Sequence, residues 1–297
     1  MSAIPNAYVP QDGKLFSVSM GLRALAQEHW LEIDQQFASE IAQKRQLITT
    51  QSNQVFQAID AGLAGSIETL ELIESHLKQF YFENEAVNKN LIELGEGLPR
   101  GMSDHPLVLA SLMVQEDLCV MTKLDDQWVL TAAAVCFPSR WDLTTKIGTN
   151  LHQIHAPVPH YEERIGSATD VMFDKFTADR PVWRINWTIL DQPDLFQPAT
   201  SHQSARPLRN RQETSEDFAS NTFLRIERQT LRVLPKSQDV LFTIHTYVDS
   251  LDRVAHKYPE FRHRLQSTLA GVSEQTKSYK GWDEMWPQLL DWCTVGE

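Results

Sequence analysis

From Pro181 to Leu190 the chain reads Pro-Val-Trp-Arg-Ile-Asn-Trp-Thr-Ile-Leu, a run in which side chains of opposite character alternate. Successive side chains of a strand point to opposite sides. Trp183, Ile185, Trp187 and Ile189 therefore share one face, and Val182, Arg184, Asn186 and Thr188 share the other. A chain containing this run must build a sheet with one apolar face and one face that carries Arg184 and Asn186.

Other strands follow from the same reasoning. Leu118–Leu124 and Trp128–Cys136 flank Asp125-Asp126-Gln127, which predicts a hairpin. Phe223–Leu234 and Val240–Val248 are joined by a turn over Pro235–Asp239. Pro138-Ser-Arg-Trp141 breaks the second strand and opens a segment of short helices and turns to about Phe176. A polar loop containing Pro193, Pro198 and Pro207 runs to about Ser220. The order is two strands, a helical excursion, then three strands. That is an α+β pattern of the PAS kind, an antiparallel sheet with a helical pocket wall, although many α+β folds share pieces of it.

The flanks read as helical. Leu22, Leu25, Trp30, Ile33 and Phe37 recur near the 3.6-residue period, followed by Ile41, Leu47 and Ile48. A second amphipathic stretch spans Ser66 to Leu94. Leu70, Ile73, Leu77, Phe80 and Tyr81 form its expected buried stripe, with Glu68, Glu71, Glu74 and Lys78 mostly outward. Glycines and a proline between Leu94 and Gly101 stop helix propagation. From Ser250 the chain is helical again, ending in Trp282, Trp286 and Trp292. The expected organisation is an N-terminal helical region at 1–97, a PAS-like domain at 98–249 and a C-terminal helical extension at 250–297.

Composition narrows the function classes. Hydrophobic residues make up 42% of the 297, enough for a sizeable core. Acidic residues number 39 against 27 basic ones, for a net charge of -12, which repels nucleic-acid phosphates. Cys119, Cys136 and Cys293 are too few and too far apart for a disulfide framework, and lack CxxC spacing. The N-terminal residues show no secretory pattern, and no run of about 18 apolar residues occurs to cross a membrane. A cytoplasmic protein is expected, with no nucleic-acid or membrane partner. GxSxG, SxxK, Walker A and a strand-following GxGxxG are all absent.

The densest chemical cluster is Lys146 to Tyr161, with His152, His155 and His160 in 16 residues. HExxH is missing, so zinc hydrolysis has little support. One neutral imidazole is enough to hold haem iron from one side. His155 fits that role best, because Ile154 gives it an apolar neighbour and Ala156-Pro157 ends its helix. A structural histidine is the alternative, and His160 and His245 are the other candidate ligands. A second constellation lies on the strand from Phe223. Arg225, Glu227, Gln229 and Leu231 share one face, and Ile226, Arg228, Thr230 and Arg232 take the other. Either this is a solvated face with cross-strand ion pairs, or it is a polar pocket wall. In the second case the arginines bind carboxylates such as haem propionates and Glu227 faces a cationic substrate.

The runs LPRGMSDHPL, VQEDLCVM, CFPSRWDLTTKIGTNLHQIHAPVPHY, WRINWTIL and FLRIERQTLRVLPKSQDVLFTIHTY resemble the α subunit of haem-dependent oxidative N-demethylase. The resemblance spans about Leu98 to Val248. It implies a PAS-like domain that uses haem b and its iron catalytically, oxidising a small secondary amine such as dimethylamine with O2 and releasing formaldehyde. Electrons would come from NADPH through a reductase partner subunit carrying flavin and an iron–sulfur centre. By this similarity His155 is the expected iron ligand, and Lys146, Arg184, Arg225 and Arg228 are candidates for propionate binding. Glu227, Gln229, Asn186 and Tyr161 become candidates for a polar distal pocket. A haem or gas sensor without turnover, or a PAS-like protein binding another small molecule, are the rival readings.

Overall fold

Seven strands form one antiparallel sheet: β1 (Arg23–Ala24), β2 (Phe56–Ala58), β3 (Asp117–Leu124), β4 (Gln127–Ala134), β5 (Val182–Leu190), β6 (Phe223–Val233) and β7 (Val240–Ser250). Their spatial order is β1-β5-β6-β7-β3-β4-β2. The structure is a computed structural model and describes residues 4–10, 16, 20–98, 102–198 and 215–294. Pro207 and the end of the Leu94–Gly101 stretch lie outside the described residues. The fold is α+β, and the five predicted strands are the five long ones. The β3–β4 hairpin turns at Asp125 and Asp126, both at positive φ (47° and 61°). That is the backbone twist a two-residue hairpin turn needs.

The two sheet faces are covered by different parts of the chain. One face packs twice. Leu118, Val120, Ala132, Ala134 and Leu241 meet Trp30, Leu31, Phe37, Ile41, Ile73 and Leu77 from the N-terminal third. Leu224, Ile226, Ile189 and Tyr247 meet Phe261, Leu265, Trp282 and Trp292 from the C-terminal helices. The other face carries Cys119, Met121, Leu130, Leu231, Val233 and Val240 under Leu143, Leu151 and Phe173 of the helical excursion. That excursion comprises short helices at Leu143–Thr145 and Leu151–His155, a π-helix at Glu162–Gly166 and a helix at Ser167–Phe173. All three cysteines are buried and free.

At the outer edge of β5, beyond the short β1 pairing, side chains take the place of a strand. Lys280 Nζ donates to the Trp187 carbonyl at 2.9 Å and Trp282 Nε1 to the Ile189 carbonyl at 2.8 Å. No helix among the described residues is long and apolar enough to cross a membrane.

Two sequence expectations need correction. The periodicity at Leu22–Phe37 does not form a helix. Those residues hold β1 and a 3-10 turn at Gln27–His29, and the helix runs Phe37–Thr50. Trp30 is nevertheless buried, held by its backbone carbonyl, which accepts from Arg228 Nη1 at 3.1 Å. Tertiary hydrogen bonding has overridden the local period. In the Leu63–Phe80 helix Ile73 and Leu77 are buried as expected, but so is Glu68, while Phe80 is exposed. Glu68 turns inward because it accepts from the amides of Lys236 and Ser237, each at 2.7 Å. Two charge-assisted bonds offset its desolvation.

Candidate functional site

His155 sits at the end of a five-residue helix that is fastened at both ends. Asn150 and Gln153 form a reciprocal capping box at its start, with bonds of 2.9 and 3.1 Å. Lys146 Nζ donates to the Ile154 carbonyl at 2.8 Å at its finish. His155 Nδ1 lies 2.9 Å from the Leu151 carbonyl. A carbonyl only accepts, so Nδ1 carries the proton and Nε2 presents a bare in-plane lone pair. Burial lowers the basicity of this imidazole. The Leu151 carbonyl opposes that effect, and the nearby charges of Arg184 and Lys146 add to it. The ring is therefore held neutral, the form in which imidazole binds a metal.

The other two histidines of the cluster are already committed. His152 bridges Glu162, at 2.7 Å, and Asp170, and these bonds raise its pKa. His160, at positive φ (61°), pairs with Glu163 at 3.2 Å. His245, the third alternative, is fully buried on the opposite sheet face between Glu116 and Asp34.

The polar row of β6 and β5 is assembled on the same face as the excursion. Asn186 and Glu227 are cross-strand partners, as are Arg184 and Gln229. Glu227 Oε2 accepts from Asn186 Nδ2 at 3.1 Å and from Gln229 Nε2 at 3.0 Å. Its Oε1 lies 3.6 Å from Arg225 Nε. The two amides orient the carboxylate and Arg225 pairs with its charge, but a carboxylate has four acceptor positions. Glu227 thus keeps acceptor capacity. Arg184 Nε is buried with no hydrogen-bond partner among the described residues. Burial depresses the basicity of this arginine, with Glu227 opposing.

Three expected residues sit differently from the reading above. Arg225 is buried and gives its guanidinium to the carbonyls of Leu195 and Phe137 as well as to Glu227. It anchors the wall, with little left to offer a ligand. Arg228 is on the opposite face. It binds the carbonyls of His29 and Trp30 and pairs with Glu32 at 3.2 Å, so strand alternation removes it from this site. Tyr161 is buried and stacks flat on His155, with ring centroids 4.5 Å apart and planes 7° from parallel. It belongs beside that imidazole and not across from it.

Sequence reasoning missed Lys280, whose charge feels Glu227. Burial pushes its pKa down to about 8, with Glu227 opposing. Only the aromatic-rich texture of the C-terminal segment hinted that a cation there would be enclosed. Phe16, Trp187 and Trp282 surround it at 5.3 to 5.8 Å.

A family model described as haem-dependent oxidative N-demethylase, alpha subunit-like, matches residues 21–290. The chain belongs to that family. The description carries haem dependence and oxidative chemistry, and an alpha subunit implies a partner subunit.

Proposed function

We propose that this member of the family binds haem b through His155 and catalyses oxidative N-demethylation of a small secondary amine, releasing formaldehyde. Electrons would reach it from NADPH through a partner subunit with flavin and an iron–sulfur centre. The observation that carries the reading is His155: a neutral imidazole with its Nδ1 proton tied to Leu151, on the excursion that covers the sheet face of Glu227. The residues present fit the cofactor. One bare imidazole nitrogen suits ligation of haem iron, and a buried N–H on Arg184 with no partner among the described residues suits a carboxylate. Leu151, Phe173, Leu231 and Val233 supply an apolar surround. The strand order, with the β3–β4 hairpin joined to the three-stranded meander through β7, supports a PAS-like reading.

When bound, haem supplies the oxygen and electron chemistry. The chain's own residues bind, orient and exclude water. His155 would hold the iron, and Arg184, with Lys146 nearby, would pair the propionates. Glu227, steered by Asn186 and Gln229, would hold a cationic amine through its carboxylate by accepting a hydrogen bond from the ammonium. Its negative charge makes it a binding partner for a cation and a poor one for an anion.

The test is the absorption spectrum of purified protein, oxidised and dithionite-reduced, for wild type and His155→Ala, followed by amine-dependent formaldehyde release. The reading expects a Soret band that shifts on reduction and is lost or altered in the alanine variant. Glu227→Ala is expected to abolish amine turnover while keeping the wild-type spectrum. A wild-type protein that fails to take up haemin removes the proposal. A haem protein with no turnover leaves the sensor reading.

A further inference from the structure

The sequence places Tyr161 among candidate pocket groups, but the fold gives it a different task. We infer that Tyr161 is the positioning residue of the His155 imidazole: its buried ring fixes the plane in which Nε2 is offered. This rests on the assignment of His155 as iron ligand and adds what holds it.

Three observations carry it. A hydrogen bond from Nδ1 to the Leu151 carbonyl, 2.9 Å away, fixes one direction within the imidazole plane. Alone it leaves the ring able to swing about the donor–acceptor line, because hydrogen bonds tolerate some tens of degrees of misalignment. A parallel aromatic ring at 4.5 Å and 7° removes that remaining freedom. The two constraints are at right angles, one in the plane and one normal to it, so together they define a single ring orientation. Stacking also occupies a face of the imidazole and leaves the in-plane lone pair of Nε2 unobstructed. An edge-on aromatic neighbour would not guarantee that.

Second, the Tyr161 ring is itself immobilised. It is 3% exposed and directly precedes the π-helix Glu162–Gly166, an extra-wide turn of the kind that recurs at functional sites. His152 bonds Glu162 and Asp170, so the segment that bears Tyr161 is fastened to the helix that bears His155. The stack therefore lies between two elements joined by side-chain bonds as well as by the chain itself. Third, Lys146 fastens the same helix at Ile154, which keeps the backbone under His155 still while the two ring constraints act.

Partners that orient a metal-binding histidine typically change metal affinity about 10- to 100-fold when removed. Haemin titration of Tyr161→Phe and Tyr161→Leu, beside wild type and His155→Ala, tests the assignment. The phenylalanine variant keeps the stacked ring, and is expected to bind haemin within a few-fold of wild type with an unchanged ferrous spectrum. The leucine variant is expected to bind about 10-fold or more weakly, with a broadened or shifted ferrous Soret band and a melting temperature close to that of the phenylalanine variant. NMR of the haem-free protein should show the Nδ1-protonated His155 tautomer throughout, with sharp ring resonances in wild type and the phenylalanine variant and ring resonances broadened by motion in the leucine variant. Tyr161→Met, which fills the space without a ring, gives the same comparison should the leucine variant not fold.

A leucine or methionine variant indistinguishable from wild type in spectrum and affinity overturns the inference. So does a phenylalanine variant as impaired as leucine, because the hydroxyl would then matter and the ring would not. If His155→Ala leaves haemin binding untouched, it is the ligand assignment that fails, which the tyrosine variants alone would not show.

Discussion

Strands β5 and β6 carry arginines toward both sides of the sheet, and Arg228 on one side and Arg184 on the other are held in opposite ways. On the face under the N-terminal third, Arg228 binds two carbonyls and pairs with Glu32. Around it Glu32 also accepts from Tyr247 at 2.6 Å, and Glu116 accepts from the Glu32 amide at 2.8 Å. Lys44, fully buried, binds the carbonyls of Ser111 and Val114 at 3.3 and 3.1 Å and lies 3.7 Å from Asp117. Most charged groups on that side are spent on joining the chain to itself, although Glu116 Oε2, Arg232 Nε and His245 Nε2 are buried without a hydrogen-bond partner among the described residues. On the excursion face, Arg184 Nε has no partner among the described residues and His155 leaves one ring nitrogen free. The two sides therefore differ in how charge is paired and not in its density or in the number of unmet atoms: Arg228, Glu116 and His245 stand in ion pairs, whereas Arg184 has no hydrogen-bond partner for its Nε among the described residues.

That contrast can be broken most sharply by paired substitutions. Arg228→Met strips a buried guanidinium from its carboxylate and carbonyls, and is expected to cost about 3–5 kcal/mol. Arg184→Met removes a charge with little internal compensation and is expected to cost less than about 1 kcal/mol while weakening haemin uptake. Urea denaturation of both variants checks this, and equal losses would erase the distinction between the faces.

The next effect is a pH dependence confined to the N-terminal side. Burial alone would lower the basicity of His245. Its bonds to Asp34 and Glu116 and the charges of Glu116 and Glu32 outweigh that and push its pKa up to about 10. A folded value above the unfolded one, about 6.5, means the stabilisation is fully present below pH 6.5. It is then lost as pH rises toward 10. The stability gap between wild type and His245→Gln should therefore shrink between pH 6.5 and 10, by at most about 1.4 kcal/mol for each pH unit crossed. A gap that is flat over this range would mean that His245 is not charged in the fold.

The smallest effect sharpens the meaning of a spent valence. Lys236 pairs with Glu71 at 2.6 Å while both side chains are largely exposed, so Lys236→Ala should change stability by less than about 0.5 kcal/mol. Glu68, buried over two amides of the same turn, should cost about 1–3 kcal/mol as Glu68→Ala, because it leaves two donors unmet. Thermal melts of the two variants would separate these cases.

The long strands were legible because they alternate. Trp183 to Ile189 and Arg225 to Leu231 each name their faces, and even the placement of Arg228 on the far side follows from counting by two. The identity of that far side was not legible. Nothing in Arg228 itself says that two carbonyls nearly two hundred positions earlier in the chain wait for it. The same contact explains why Leu22–Phe37 imitates a helix period without forming one. His155 stood out from its neighbours through Ala156-Pro157 and Ile154, whereas its tautomer depends on a backbone carbonyl and its ring plane on Tyr161. Side-chain chemistry marks a candidate, and only the fold shows which candidates already have partners.

The side-chain cover on the rim of β5 has a consequence for how this protein behaves in concentrated solution. A bare strand rim is a template on which a second chain can add, the usual start of aggregation. Lys280 and Trp282 take up the Trp187 and Ile189 carbonyls, and any incoming strand would have to displace an indole and dehydrate an ammonium to pair there. The C-terminal segment is thus a guard against fibre-like growth as well as packing material. A chain truncated before it would be prone to cluster rim to rim even with its sheet intact.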